Sequence, residues 1–203
     1  IDEFIIYINK NNYSLSSTIA PSIYETNSFL IKKQNEEVRQ LFSNIYIHLT
    51  LIEYAVFFGS IQIIKYLQLN KVELTPKLWN FSIHGKNADI IHLLEENQIV
   101  PETAKKDLNS YYDCLVESVK CHHNDIANYL IINYFQSDFI KSKEFFNMCI
   151  KSYNLLLTQF EMINENTLNY ICKYDYYALI KSFVNDENFD VNSISKTIQL
   201  YLK

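Results

Sequence analysis

Residues 52–67 read IEYAVFFGSIQIIKYL: Ile52, Ala55 and Val56 share one helical face, Gly59-Ser60 interrupts, and Ile63, Ile64 and Leu67 resume at the same spacing. An apolar period of about 3.6 residues, broken by a small and a polar residue, describes two short amphipathic helices joined by a tight turn. The phrase returns at 79–94, WNFSIHGKNADIIHLL, where Trp79, Ser82 and Ile83 precede a break at Gly85–Asn87 and Ile90, Ile91 and Leu94 follow. It returns again at 115–130, LVESVKCHHNDIANYL, as Leu115, Ser118 and Val119, then His122-His123, then Ile126, Ala127 and Leu130. The closing leucines lie 27 and 36 residues apart, a spacing that suits small helical repeats. A small residue recurs at one place, as Ala55, Ser82 and Ser118, where neighbouring helices are expected to approach closely.

Composition favours helix. Hydrophobic residues make up 48% of the 203, including 16 Tyr and 13 Phe, so burial is able to offset the entropy lost on folding. With only 2 Gly and 3 Pro, folds that rely on tight hairpins, phosphate-cradling loops or dinucleotide turns are disfavoured. A formal charge of −5 with no basic stripe argues against a nucleic-acid partner, because phosphate binding rests on clustered Lys and Arg. No apolar run reaches the roughly 18 residues of a membrane span, and IDEFIIYINK lacks the flanks of a signal peptide. A soluble cytoplasmic chain without membrane insertion is expected, with Cys114, Cys121, Cys149 and Cys172 as reduced thiols. The sequence opens at Ile1 already in mid-pattern, so a longer protein is expected around it.

Thr50, Ile52, Ala55, Val56, Gly59, Ile63, Ile64 and Leu67 stand one by one on the positions of the ankyrin repeat. That repeat has a T-P-L-H-x-A-A inner helix, a Gly-His or Gly-Asn turn and an I-V-x-x-L-L outer helix, and the chain resembles its family there. Thr75 and Pro76 offer the same start to the second unit, shifted by a residue or two, and Asp190, Val191 and Asn192 match the loop ending D-V-N. More narrowly, SLSSTIAPSIYETNSFLI, VELTPKLW, IIHLLEEN and KCHHNDIANYL resemble a large family of divergent ankyrin-like proteins of unknown function, abundant in parabasalid-type protists. The resemblance implies an all-α, ankyrin-like solenoid with shortened or irregular hairpin loops, forming one array over 1–203. Its parts are the end of a truncated repeat (1–8), a long loop with a short helix (9–49), and repeats at 50–74, 75–100 and 111–135. A weak repeat (143–165), a degenerate one (166–192) and the start of a further helix (193–203) follow.

The resemblance also places residues on the concave face, where ankyrin-type arrays hold protein partners: Phe57, Phe58, His84, Lys120, Cys121, Lys173 and Tyr174. Phe57-Phe58 is the sharpest pair, since two adjacent aromatics cannot both face one helical core stripe. Either a partner or the 9–49 loop is expected to cover them, and Tyr24, Phe29 and Phe42 favour an ordered loop. Cys114, Cys121, His122 and His123 offer zinc-type donors at a poor spacing, and His122-His123 reads as an ordinary turn. Glu36-Glu37 and Glu95-Glu96 read as solvated helix ends, and Cys149 and Cys172 as small core residues. No catalytic residue, metal or cofactor is assigned. A non-enzymatic scaffold for a protein partner is the expectation, one version being a component of a cytoskeletal or axonemal assembly. The competing class is a metal-binding or enzymatic module within an α-solenoid.

Overall fold

The computed structural model describes residues 1–19, 24–31, 49–102, 109–158, 171–177 and 181. Helix dominates among them. Strand there is confined to β1 (Thr18–Ile19) and β2 (Leu49–Thr50), antiparallel with Thr18 opposite Thr50. Contacts divide the chain into two compact units, Ile1–Cys114 and Leu115–Lys203. No helix of the described residues is long and apolar enough to cross a membrane.

The first unit holds α1 (Asp2–Lys10), α2 (Leu51–Phe57), α3 (Ile61–Leu69), α4 (Leu78–His84) and α5 (Ala88–Glu96). Helix α2 packs on both α3 and α4, and α4 packs on α5. The unit boundary falls within α6 (Tyr112–Lys120), and the second unit continues with α7 (Asn124–Tyr134) and α8 (Lys143–Lys151). Short 3-10 turns follow α7 and α8 at Ser137–Lys141 and Leu155–Leu157. Side chains start several helices. Thr50 and Glu53 form a reciprocal capping box at α2, Asn87 caps Ile90 N–H in α5, and Ser142 caps Phe145 N–H in α8.

One turn design recurs along the sequence. Gly59, Lys86, His122, Tyr153 and Asp175 all take left-handed backbone, with φ of 70°, 52°, 57°, 56° and 56°. In each turn this residue's N–H donates to the carbonyl three residues back, and the next residue's N–H reaches five back. The longer bonds run from Ser60 to Ala55 (2.8 Å), Asn87 to Ser82 (3.3 Å), His123 to Ser118 (2.9 Å), Asn154 to Cys149 (2.9 Å) and Tyr176 to Ile171 (3.1 Å). Four of the five are non-glycine residues, which pay roughly 1–2 kcal/mol for this backbone; the pair of bonds satisfies helix-end carbonyls in return. Asn12, Lys71 and Gln98 end α1, α3 and α5 the same way, each preceded by an Asn whose side-chain amide donates back into the helix at 2.8 Å.

The five acceptors and the residues after them, from Ala55-Val56 to Ile171-Cys172, are all buried. The buried Ser82 and Ser118 hydroxyls donate to Trp79 O (2.7 Å) and Leu115 O (2.8 Å), so both small polar residues are satisfied within their own helices. Within each unit a turn rests on the one before it. Asn87 lies against Gly59, Asn154 Nδ2 donates to Val119 O (3.0 Å) and Asn124 Oδ1 (2.7 Å), and Tyr176 OH donates to Ile150 O (2.8 Å).

Of the residues read as core, Ala55, Leu67, Trp79, Ile90, Leu94, Leu115, Ile126 and Leu130 are buried. Ile63 is only half-buried while its neighbour Ile64 is fully buried, because consecutive helical positions point about 100° apart and both cannot face inward equally. The expected charged helix at 32–40, Phe42, the D-V-N loop and residues 193–203 lie outside the described residues.

Candidate protein-binding surface

Phe57 is the last residue of α2, and Phe58 caps it before Gly59 turns the chain away. Two consecutive positions on a helix point about 100° apart, so the rings diverge. Phe57 is half-buried, whereas Phe58 is 63% exposed and, among the described residues, lies parallel to Tyr54 (6.1 Å between centroids) and edge-on to Phe57 (5.1 Å).

Phe29 is the cover over Phe57. Its ring stacks on Phe57 at 5.9 Å and on His84 at 3.6 Å, and meets Phe81 edge-on at 5.2 Å. The ring is held in place locally. Asn27 Oδ1 accepts from Phe29 N–H (3.0 Å) and Leu30 N–H (3.2 Å), opening a short helical stretch at 28–31, and Leu30 beside it is fully buried. Among the described residues of the loop, Phe29 therefore covers Phe57 and His84, while Phe58 is exposed. Phe57, Phe58 and His84 are brought together at the C-terminal ends of α2 and α4; Phe29 belongs with them, and its signal in the sequence is an aromatic within a polar stretch.

The remaining sequence-derived positions belong to the second unit. Lys120, exposed at the end of α6, pairs with Glu117 at 2.6 Å across one helical turn. Cys121 is half-buried beside it, its thiol pushed up by burial first and then by Glu117, with Lys120 opposing. Lys173 is exposed, and its ammonium lies 5.7 Å from the centre of the half-buried Tyr174 ring.

Burial raises the thiols of Cys121, Cys149 and Cys172 above their ordinary value. Among the described residues there is no disulfide; burial pushes Cys149 up to about 12 against a weak opposing hydrogen bond from Thr158, and burial raises Cys172 as well. A thiol held protonated is a poor nucleophile and a poor metal ligand. Cys114 is buried in α6, and the exposed His122 occupies the left-handed turn position. Glu95 accepts from or pairs with His92 at 3.1 Å on the surface of α5, and Glu96 is exposed; Glu36-Glu37 lies outside the described residues.

The Cys149 environment gives a pH prediction. Its folded value of about 12 lies above the ordinary 9.0, so the unfolded thiol ionises first. Stability from this group is present below pH 9.0 and is lost as pH rises towards 12. Urea unfolding at several alkaline pH values should show a falling midpoint, and Cys149→Ala should start lower but fall less steeply. Equal slopes would remove the thiol from the account.

At the N-terminal end of α2, a groove of about 700 Å³ is lined by residues that include Thr50, Ile52 and Glu53 with Lys71, Glu73 and Lys77. Its charges are mixed, with Glu53, Glu73 and Glu102 beside Lys71 and Lys77. Searches against family models, curated proteins and solved structures return no match to this chain.

Proposed function

We propose that this chain is a non-enzymatic, ankyrin-like helical-repeat scaffold that binds a protein partner through the aromatic surface at the ends of α2 and α4. The observation that carries the reading is Phe58: a ring 63% exposed, flanked by Tyr54 and Phe57, beside a cluster of Phe57, Phe81 and His84 already packed under Phe29. Aromatic side chains are enriched in protein interfaces because they bury large area at low entropic cost. The recurring turn supports the repeat part of the proposal, since an array of like units leaves one face of its inner helices free for partners.

The two phenylalanines separate binding from stability. Phe58→Ala should weaken partner binding by about 2 kcal/mol or more, as loss of an interface anchor does, and leave the melting temperature nearly unchanged. Phe57→Ala should instead cost about 1–3 kcal/mol of stability, because a half-buried ring loses part of the usual Phe→Ala penalty, and should expose the 24–31 segment to protease. Crosslinked affinity capture from native lysate, repeated with each variant and paired with elemental analysis of the purified protein, tests the reading. Capture unaffected by Phe58→Ala, or a stoichiometric metal in the purified protein, would count against it.

A further inference from the structure

Helix α1 is built with two apolar faces. Ile8 is buried, Phe4 and Ile5 are half-buried, and Phe4 meets Tyr66 of α3 edge-on at 6.2 Å, so one face belongs to the first unit. On the opposite face Ile6 is 65% and Tyr7 59% exposed, and Tyr13 stacks on Tyr7 at 5.9 Å, widening the patch. Large apolar side chains grouped in this way on a surface mark an interaction site more often than single ones do.

The charges around the patch identify its occupant. Glu3, Ile6, Tyr7 and Lys10 stand at i, i+3, i+4 and i+7, which is one stripe of a helix. All four are exposed, and neither Glu3 nor Lys10 has an ion-pair partner among the described residues. The stripe is acidic at one end, basic at the other, and apolar in the middle. Glu3 and Lys10 are equally distant from the midpoint between Ile6 and Tyr7. A twofold axis through that midpoint therefore sets Glu3 against Lys10 of the second copy, and Ile6 against Tyr7, at both ends at once. Asp2 adds to the acidic end, and antiparallel helix dipoles reinforce the arrangement.

We propose that two copies of this chain associate through α1, antiparallel, with Ile6 and Tyr7 at the centre and Glu3–Lys10 pairs at the rim. A twofold interface is self-complementary by construction, and this stripe has the required symmetry. Helix α1 carries none of the residues of the α2–α4 aromatic surface, so the two proposals stand or fall separately. A stripe on one face of a nine-residue helix buries less than the roughly 1,200 Å² of a standard interface, so the dimer is weak, with a dissociation constant of about 10 μM to 1 mM.

Sedimentation equilibrium of the full chain, from about 5 μM to about 500 μM, brackets that range. The wild-type chain should pass from monomer towards dimer as concentration rises, more weakly in high salt. Ile6→Asp should remain monomeric throughout, with an unchanged circular dichroism spectrum. Glu3→Lys and Lys10→Glu should each weaken association about fivefold, since both rim pairs become repulsive. Mixed in equal amounts, these two variants should associate more tightly than either alone, and the double variant should recover the wild-type constant. The mixing arm isolates register, because any loss of helix stability at either end is the same in mixed and unmixed samples. A chain monomeric at every concentration, a dimer indifferent to Ile6→Asp, or a mixture no tighter than its components would overturn the proposal.

Discussion

Replacing Gly85 by alanine should destabilise the first unit by about 3 kcal/mol, the upper part of the range for forcing an atom into packed space. The backbone at Gly85 is ordinary right-handed helix, φ −71°, so alanine is not excluded by conformation. It is excluded by a neighbour: a Cβ there would collide with the carbonyl oxygen of Phe57 and lie 3.2 Å from that of Phe81. Both obstacles are backbone, so relief requires the end of α4 to move off α2, pulling Phe57, Phe81 and His84 from beneath Phe29. Gly59 supplies the contrast. It has the left-handed backbone, φ 70°, but its added Cβ would meet the flexible Asn87 side chain at 2.7 Å. Gly59→Ala should therefore cost only about 1–2 kcal/mol, the usual left-handed penalty. Urea unfolding followed by fluorescence of the single Trp, at position 79, reports both variants. A smaller loss for Gly85→Ala than for Gly59→Ala would show that the α2–α4 approach is not the constraint.

Trp79→Ala should be costlier still, about 3–5 kcal/mol, the range for emptying a large buried aromatic site. Trp79 has no exposed surface, meets Tyr111 edge-on at 5.3 Å, and donates from Nε1 to the Ile99 carbonyl at 2.7 Å. Ile99 is the residue whose N–H closes the end of α5 onto Leu94, so the indole ties α4 to the turn that ends α5. Since a small domain has only about 5–15 kcal/mol in total, the variant should sit near the unfolding threshold at 37 °C. Circular dichroism melts give the readout, because the fluorescent probe is removed. Trp79→Phe should lose about 1–2 kcal/mol, retaining most of the packing while leaving the Ile99 carbonyl unpaired. If the alanine and phenylalanine variants melt together, the hydrogen bond rather than the volume dominates.

The places where the helices break were written in the sequence. Gly59-Ser60, Gly85–Asn87 and His122-His123 interrupt an apolar period of about 3.6 residues, and Ala55, Ser82 and Ser118 mark the buried small positions before them. Such signals are local: periodicity fixes which face is apolar, and a small or polar break fixes where the helix yields. The backbone of each turn was less legible. Lys86, not Gly85, takes the left-handed conformation, and His122, Tyr153 and Asp175 do the same without any glycine to announce it. Hydrogen bonds back into the preceding helix hold these residues there, and a side chain of any type can stand in such a place if it reaches solvent.

Gly85 was read as a turn residue because glycine usually marks conformational freedom, yet its role is set by a carbonyl from another helix pair, 28 positions earlier in the chain. The same holds at the aromatic surface. The sequence singled out Phe57, Phe58 and His84, and it noted Phe29 only as an aromatic in a polar loop. That Phe29 stacks on Phe57 and His84 while Phe58 faces outward depends on how a segment distant in sequence folds back onto α2 and α4. By itself the sequence determined helix, helix breaks and most of the buried face, because each arises from interactions spanning no more than about five residues. Only the tertiary structure decided which glycine is held by close approach and which phenylalanine is left exposed, because both depend on distances between segments that no local pattern encodes.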